Sequence, residues 1–287
     1  MPEVKMKLEE RVHNMFLANI GKDIYDISHM ALAEPSEHLY YKHMHSYCEL
    51  LLFVEGDMDF CIGGDYYHLQ PYDLLLIPQG TYHYGTLRTA ARYENYVIDF
   101  YDVLLPPETI QKLFSPPTVF NIGGDKLLLQ YFRLLDTYHE RYSKTDFLFC
   151  AECLVREILI YCCYTSRISS PVIRERSTLI QNILDYIDKH LEEKLDVEIL
   201  AENLNLSRSH IQNVFSQSMQ IGLKQYIMQK KIFAAHNDLI NGYSATAAAG
   251  KYHFNDYSTF YRVYKKTFGT PPSDTGKNDS RPSDRRK

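Results

Sequence analysis

The spacing of apolar positions changes twice along the chain. Between residues 24 and 102 they come in short runs, broken by turn signals at Glu55–Asp57, Gly63–Asp65, Gln70–Asp73 and Pro78–Gly80. Turns recurring about every 8–12 residues predict an antiparallel sandwich or barrel. Leu50–Val54 and Leu74–Ile77 are unbroken apolar runs and read as strands buried on both faces. From 106 to 165 the period becomes helical. Leu127, Leu128, Tyr131, Leu134, Leu135 and Tyr138 form one stripe, and Phe147, Leu148, Leu154, Ile158, Leu159 and Tyr161 another. They predict two amphipathic helices, broken around Ser143–Asp146, with Asp146 as N-cap of the second. Residues 166–176 are polar, carry Pro171 and read as a connector. Helical spacing resumes to about residue 268, and the stretch from Thr275, free of apolar residues, is expected to be disordered.

Within the last helical stretch, Leu195–Phe215 and Ala247–Phe268 each read as a helix-turn-helix. Such a unit needs a small residue where the helices cross, a tight turn and a polar face on the second helix. In the first unit Ala201 is the small residue, Asn205 takes the turn and Ser207 caps the second helix. Arg208, Ser209, His210, Gln212 and Asn213 face outward. Arg can pair with guanine, and Gln or Asn with adenine, in a major groove. In the second unit Phe254 and Phe260 form the wedge and Asp256 caps. Tyr257, Ser258, Tyr261 and Arg262 face outward, with Lys265 and Lys266 placed for phosphate. Its first helix is rich in Ala and contains Gly250, so this unit is expected to be the less stable of the two. Ile221–Ile240 reads as one long helix that spaces the two units. Two such units on one chain could enter successive major grooves, about 34 Å apart.

Charge supports that division of labour. From Pro171 onward there are 17 Lys and Arg against 13 Asp and Glu, while the residues before it carry 14 against 23. A basic back half behind an acidic front half fits phosphate contact by the back half alone. No apolar run approaches the roughly 18–20 residues of a membrane span, and the N-terminus lacks a secretory apolar core. A cytoplasmic protein with reduced thiols is expected. Cys150, Cys153, Cys162 and Cys163 fall in a helical pattern and read as small buried residues rather than a metal site.

Residues 177–272 resemble the AraC/XylS family of transcription regulators. The matching positions are Leu200–Glu202, Leu206–Ser209, Phe215, Gly222, Tyr226, Ala234, Ala235, Phe254–Phe260 and Lys265–Pro271. The resemblance implies two helix-turn-helix subdomains on a linker helix, gripping promoter DNA. It implies base reading by Ser209, Gln212 and Asn213, and by Tyr257, Ser258, Tyr261 and Arg262. The chain departs from the family pattern in having His253 where Gly is usual at the second turn, and Ala245 and Ala248 where Ile-rich packing is usual.

In the front half, His43-Met-His45-Ser-Tyr-Cys-Glu49 followed by Gly56, and Pro78-Gln-Gly80-Thr-Tyr-His83, resemble the two cupin motifs. Metal-binding cupins draw ligands from the positions of His43, His45, Glu49 and His83, a set suited to iron, manganese, nickel or zinc. Glu37 and Leu87 replace a Gly and an Asn of those motifs. The alternative is that the four, with Tyr82, line an effector pocket without a metal, and no cofactor is expected. Of 24 Tyr, 17 precede Pro171. Tyr40, Tyr41, Tyr47, Tyr66, Tyr67, Tyr82 and Tyr84 gather near the barrel mouth, where aromatic faces with polar tips suit a sugar or an aromatic effector.

The fold expected is α+β with two domains. An N-terminal cupin-like antiparallel β-barrel with a helical hairpin spans 1–165, for effector binding and dimerisation. A linker covers 166–176, an all-α domain with two helix-turn-helix subdomains covers 177–272, and a disordered tail 273–287. The function expected is sequence-specific, effector-responsive transcription regulation without catalysis. Promoter DNA, a small molecule, RNA polymerase and a second copy are the partners, and no membrane is involved. The competing reading is a metal-dependent cupin enzyme whose helical half only binds a partner.

Overall fold

The computed structural model describes residues 16–18, 24–35 and 42–275. The chain divides into two compact units, with the boundary between Glu175 and Arg176.

Among the described residues, the first unit holds ten strands in two antiparallel sheets. One has the order β1 (Phe16–Ala18), β2 (Ile24–Leu32), β8 (Tyr93–Phe100), β3 (Cys48–Glu55), β6 (Asp73–Ile77), β9 (Val119–Asn121). The other has the order β10 (Val172–Arg174), β5 (Asp65–His68), β4 (Met58–Ile62), β7 (His83–Leu87). The expected antiparallel domain therefore forms, with its strands shared between two sheets. The apolar runs explain the layering. Successive side chains on a strand point to opposite faces. Leu50, Leu52, Leu74 and Leu76 accordingly join one core with Leu128, Phe132, Leu135, Ala151, Val155 and Ile158 from the helices. Leu51, Phe53, Leu75 and Ile77 join a second core with Met58, Phe60 and Ile62 of the other sheet. Each fully buried Leu or Ile contributes roughly 1.5–3 kcal/mol relative to exposure.

The helices of this unit are α1 (Pro107–Leu113), α2 (Lys126–Arg141) and α3 (Lys144–Cys162). The last two are the expected hairpin. Their caps differ from expectation at one point: Ser143, not Asp146, caps α3, accepting from Asp146 N at 3.2 Å. Asp146 sits three residues on and accepts from the Ser143 hydroxyl at 2.6 Å, so the carboxylate braces the cap instead of being it.

The segment 166–176, expected as a connector, is largely built into this unit. Arg167 donates to the carbonyls of Leu113, Ser115, Pro117 and Cys162. Ser170 is buried and donates to Asp73 at 2.8 Å. Val172 and Arg174 pair with β5. Polar composition marks a segment whose backbone and side chains need partners, and here folded carbonyls and a sheet edge supply them.

The second unit is all helical: α4 (Thr178–Lys189), α5 (Val197–Asn203), α6 (Arg208–Met219), α7 (Leu223–Ile240), α8 (Ala245–Lys251) and α9 (Tyr257–Phe268). Five of the six begin on a side-chain cap. Ser177, Asp196, Ser207, Ser244 and Asp256 accept from backbone N–H groups at 3.3, 3.0, 3.2, 3.1 and 2.7 Å. Residues 272–274 form a 3-10 turn and Thr275 hydrogen-bonds Tyr264, so the beginning of the expected tail is ordered. Residues 276–287, the rest of that tail, lie outside the described residues. No helix among the described residues is long and apolar enough to cross a membrane.

Candidate DNA-reading helices and effector site

The two helix-turn-helix units share one local construction. In the first, Asn205 has φ 54° and Leu206 N–H donates to Ala201 O at 2.9 Å. In the second, His253 has φ 52° and Phe254 N–H donates to Ala249 O at 3.1 Å. A left-handed residue thus closes each turn, and each reading helix then starts on its own cap. Asn adopts that backbone readily, whereas His does so at a cost, since only Gly avoids the Cβ clash.

On α6, Arg208, Ser209, His210, Gln212 and Asn213 are exposed, and Ile211, Phe215 and Met219 are buried. On α9, Tyr257, Ser258, Arg262, Lys265 and Lys266 are exposed, Tyr261 is half-buried, and Phe260, Tyr264 and Phe268 fill the core. Two positions carry an additional contact. Arg208 is ion-paired with Glu198 at 2.5 Å. Tyr261 packs beside Tyr257, with ring centroids 6.5 Å apart.

In the front half, four candidate residues converge. Glu49 lies on β3, His83 begins β7, and His43 and His45 lie in the approach to β3, with His43 bridged to His83 through the backbone. The donor atoms of His43, His45, Glu49 and His83 all fall within 4.8 Å of one another, and all but His43 are buried. Nδ1 of His45 is 2.7 Å from Tyr47 O, and Nδ1 of His83 is 2.9 Å from Thr81 O. A carbonyl can only accept, so both Nδ1 atoms carry hydrogen and both Nε2 atoms turn inward. There they face the same oxygen, Glu49 Oε2, at 3.1 and 3.4 Å. His83 Nε2 is buried without a hydrogen-bond partner. Burial opposes ionisation of Glu49, but the facing His45 and His83 rings favour the anion more strongly and hold the carboxyl well below its usual range. Burial pushes the His45 imidazole down. Two imidazole lone pairs and a carboxylate converging on one point form a set that a cation satisfies, so the donors fit a divalent metal.

Tyr82, next to His83 in the chain, is buried and edge-on to Tyr84 at 6.1 Å, and burial pushes its hydroxyl up to about 12. Tyr84 in turn shares a hydrogen bond of 2.8 Å with Tyr66, over which Arg174 lies at 4.3 Å. Tyr47 stacks on His45 with ring centroids 4.0 Å apart, and Tyr67 packs on the inter-sheet core. Tyr40 and Tyr41 lie outside the described residues.

One cluster was not legible in the sequence. His29 on β2 is buried between Asp136 of α2, at 2.7 Å, and Glu94 of β8, at 3.2 Å, and stacks on Tyr96 at 3.9 Å. Tyr96 also donates to Asp136. Residues 29, 94 and 136 are too far apart in the chain for spacing to join them. Helix packing onto the sheet does so.

These two sites correspond to two matched domain families. Residues 30–154 match the AraC-like ligand binding domain, and residues 200–278 match a helix-turn-helix domain. MarA of Escherichia coli strain K12, a multiple antibiotic resistance protein, is 31% identical over 94 residues, which are 32% of this chain and 74% of MarA. AarP, an HTH-type transcriptional activator of Providencia stuartii, is 29% identical over 110 residues, 36% of this chain and 82% of AarP. The match to YkgA of the same E. coli strain, 31% identical over 98 residues, spans 34% of this chain and 41% of that relative. Among solved structures, ToxT of Vibrio cholerae aligns over 88% of this chain and 97% of its own, with 12% identity and a TM-score of 0.38. The AraC-like transcriptional activator CuxR aligns over 77% of this chain and 79% of its own, with 15% identity and a TM-score of 0.39. With an AraC-like ligand binding domain ahead of a helix-turn-helix domain, and with three quarters of MarA covered by its back half, the chain belongs to the AraC family of transcription regulators.

Proposed function

We propose that this protein regulates transcription by inserting α6 and α9 into DNA, under control of a small molecule bound in the first unit. The observation that carries the reading is the pair of capped helices with exposed polar side chains on their outward faces. Gln212 and Asn213 read bases from α6. Tyr257, Ser258 and Arg262 do so from α9, Tyr261 contributes its exposed edge, and Lys265 and Lys266 meet phosphate. Ser209 and His210 flank the first contact, and Arg208 joins it on leaving Glu198. The regulator then acts at a promoter, together with RNA polymerase, in the cytoplasm. Selection of duplexes from a random pool, followed by gel shifts at two salt concentrations, tests this. The expected result is a selected site bound about a thousandfold or more above random DNA, with Gln212→Ala costing roughly 1–3 kcal/mol at one base position. Recovery of no preferred sequence, with or without candidate effectors, defeats the proposal.

A second feature of the first unit favours a metal at the effector site. His43, His45, Glu49 and His83 would hold a divalent cation, and the inward Nε2 lone pairs set against Glu49 Oε2 support this. When bound, such an ion neutralises the carboxylate and offers a Lewis-acid position to an oxygen-bearing effector. The sugar or aromatic effector suggested by the tyrosines is compatible with that chemistry, with Tyr82 beside Tyr84. Elemental analysis of protein purified without added metal is the measurement. Near-stoichiometric metal, lost in His45→Ala, is expected. A metal-free protein that also gains no thermal stability from zinc, manganese, nickel or ferrous iron returns the four residues to direct effector contact.

A further inference from the structure

We infer that Lys251 clamps the two reading subdomains at a fixed separation, and so determines which spacing of half-sites the protein accepts. The inference deepens the DNA-reading proposal and rests on it for its consequence, though not for its geometry. Lys251 is the last residue of α8, in the second subdomain. Its Nζ lies 2.9 Å from Asp238 Oδ2 on α7, the spacer helix. The same Nζ lies 3.1 Å from Glu192 Oε1, between α4 and α5, beside the first subdomain. One ammonium therefore ties together three parts of the DNA-binding unit.

The order of attachment follows from burial. Asp238 Oδ2 is buried, and the Lys251 ammonium at 2.9 Å serves as its counter-charge. The Lys251 side chain is 28% exposed, and its Nζ also lies over the rings of Tyr243 and Tyr252 at 5.4 and 5.2 Å. Hydrogen bonds to Asp238 and then Glu192 raise its pKa, so the charge is present at any working pH. Glu192 is 63% exposed and meets a cation already held in place. An exposed pair of this kind adds little stability. Its role is geometric. Tyr264 and Phe268 of α9 pack on His236 of α7, so the second subdomain travels with α7. The Lys251–Glu192 contact holds it against the segment between α4 and α5, and without that contact it is released from that segment. The distance between α6 and α9 then varies.

Two readouts on the full chain test this. In the first, Gln217→Cys on α6 and Lys266→Cys on α9 carry spin labels in a Cys153→Ser background, and their separation is measured without DNA. A narrow distribution in the parent that broadens in Lys251→Ala and Glu192→Gln, but not in Lys251→Arg, supports the clamp. Equal widths in all four overturn it, whatever happens with DNA. In the second, binding is measured to the duplex selected by the parent protein and to versions with one to three base pairs inserted between its half-sites. The parent should lose affinity steeply with insertion. Lys251→Ala and Glu192→Gln should bind the parent spacing about threefold to fivefold more weakly and show a flattened spacing profile. A uniform loss at every spacing, or an unchanged profile in the well-exposed Glu192→Gln variant, overturns the inference. A failure to select any duplex counts against the DNA-reading proposal alone, because the label distances still decide the clamp.

Discussion

At the scale of single residues, the functional side chains were legible wherever local chemistry fixes them. Asn205, Ser207 and Asp256 take the turn and cap positions that their short polar side chains favour, and they do so without help from distant residues. Buried polar residues were not legible, because their partners come from other elements. His236 of α7 is the clearest case. Its Nδ1 is 2.5 Å from the Tyr264 hydroxyl, its ring stacks on Phe268 at 4.0 Å, and its Nε2 has no hydrogen-bond partner. Burial pushes its pKa from 6.5 down to about 4. On acidification the unfolded chain therefore binds a proton first. Stability is complete above pH 6.5, falls as pH drops from there towards about 4, and levels off below. The full loss is on the order of 3 kcal/mol. Thermal melts of the full chain between pH 8 and 4.5 should show this decline for the second unit's transition, and His236→Phe should flatten it. His29 has the opposite sign. Burial lowers its pKa, but bonds to Asp136 and Glu94 outweigh burial and raise it. Its contribution is present below its ordinary value and is lost as pH rises through the raised one.

At the scale of elements, periodicity located the strands of residues 24–102, the α2–α3 hairpin and both helix-turn-helix units. It missed β1, α1, β9 and β10, which are too short to show a period. The cap of α3 moved from Asp146 to Ser143 because both residues suit a cap, and only the path of the backbone chooses between them. In the second helix-turn-helix, Ala248 and Ala249 of the Ala-rich α8 are buried, as are Tyr252, Phe260, Tyr264 and Phe268 of the same subdomain. Gly250 remains a weak point. It is exposed within α8, and an added Cβ there would meet nothing within 4 Å. Gly250→Ala should stabilise the second subdomain by about 1 kcal/mol, seen as a higher denaturation midpoint with unchanged DNA sequence preference. A lower midpoint would mean that this glycine serves a contact other than those in the helix.

At the scale of the whole molecule, two units with different compositions carry different tasks, and the acidic front and basic back follow that division. The first unit also presents an apolar stripe on α3. Phe149 and Ile160 are 72% and 45% exposed, Cys153 lies between them, and Tyr164 continues the line at 75%. The expected pairing of two copies would bury this face. Sedimentation velocity should show a dimer that Phe149→Glu converts to monomer with little change in melting temperature, since this side chain is outside the core. A parent protein that is monomeric at micromolar concentration refutes the dimer. By itself, the sequence determined the class of each half, the two reading helices and the histidine-and-glutamate motif, because periodicity, capping and short-range spacing act within a few residues. Tertiary structure alone decided that His45 and His83 turn their Nε2 atoms onto one carboxylate oxygen, that Tyr82 meets Tyr84 edge-on, that residues 172–174 pair with a sheet edge, and that Lys251 reaches Glu192. Those contacts join residues far apart in the chain, and only the packing of helices and sheets brings such groups within bonding distance.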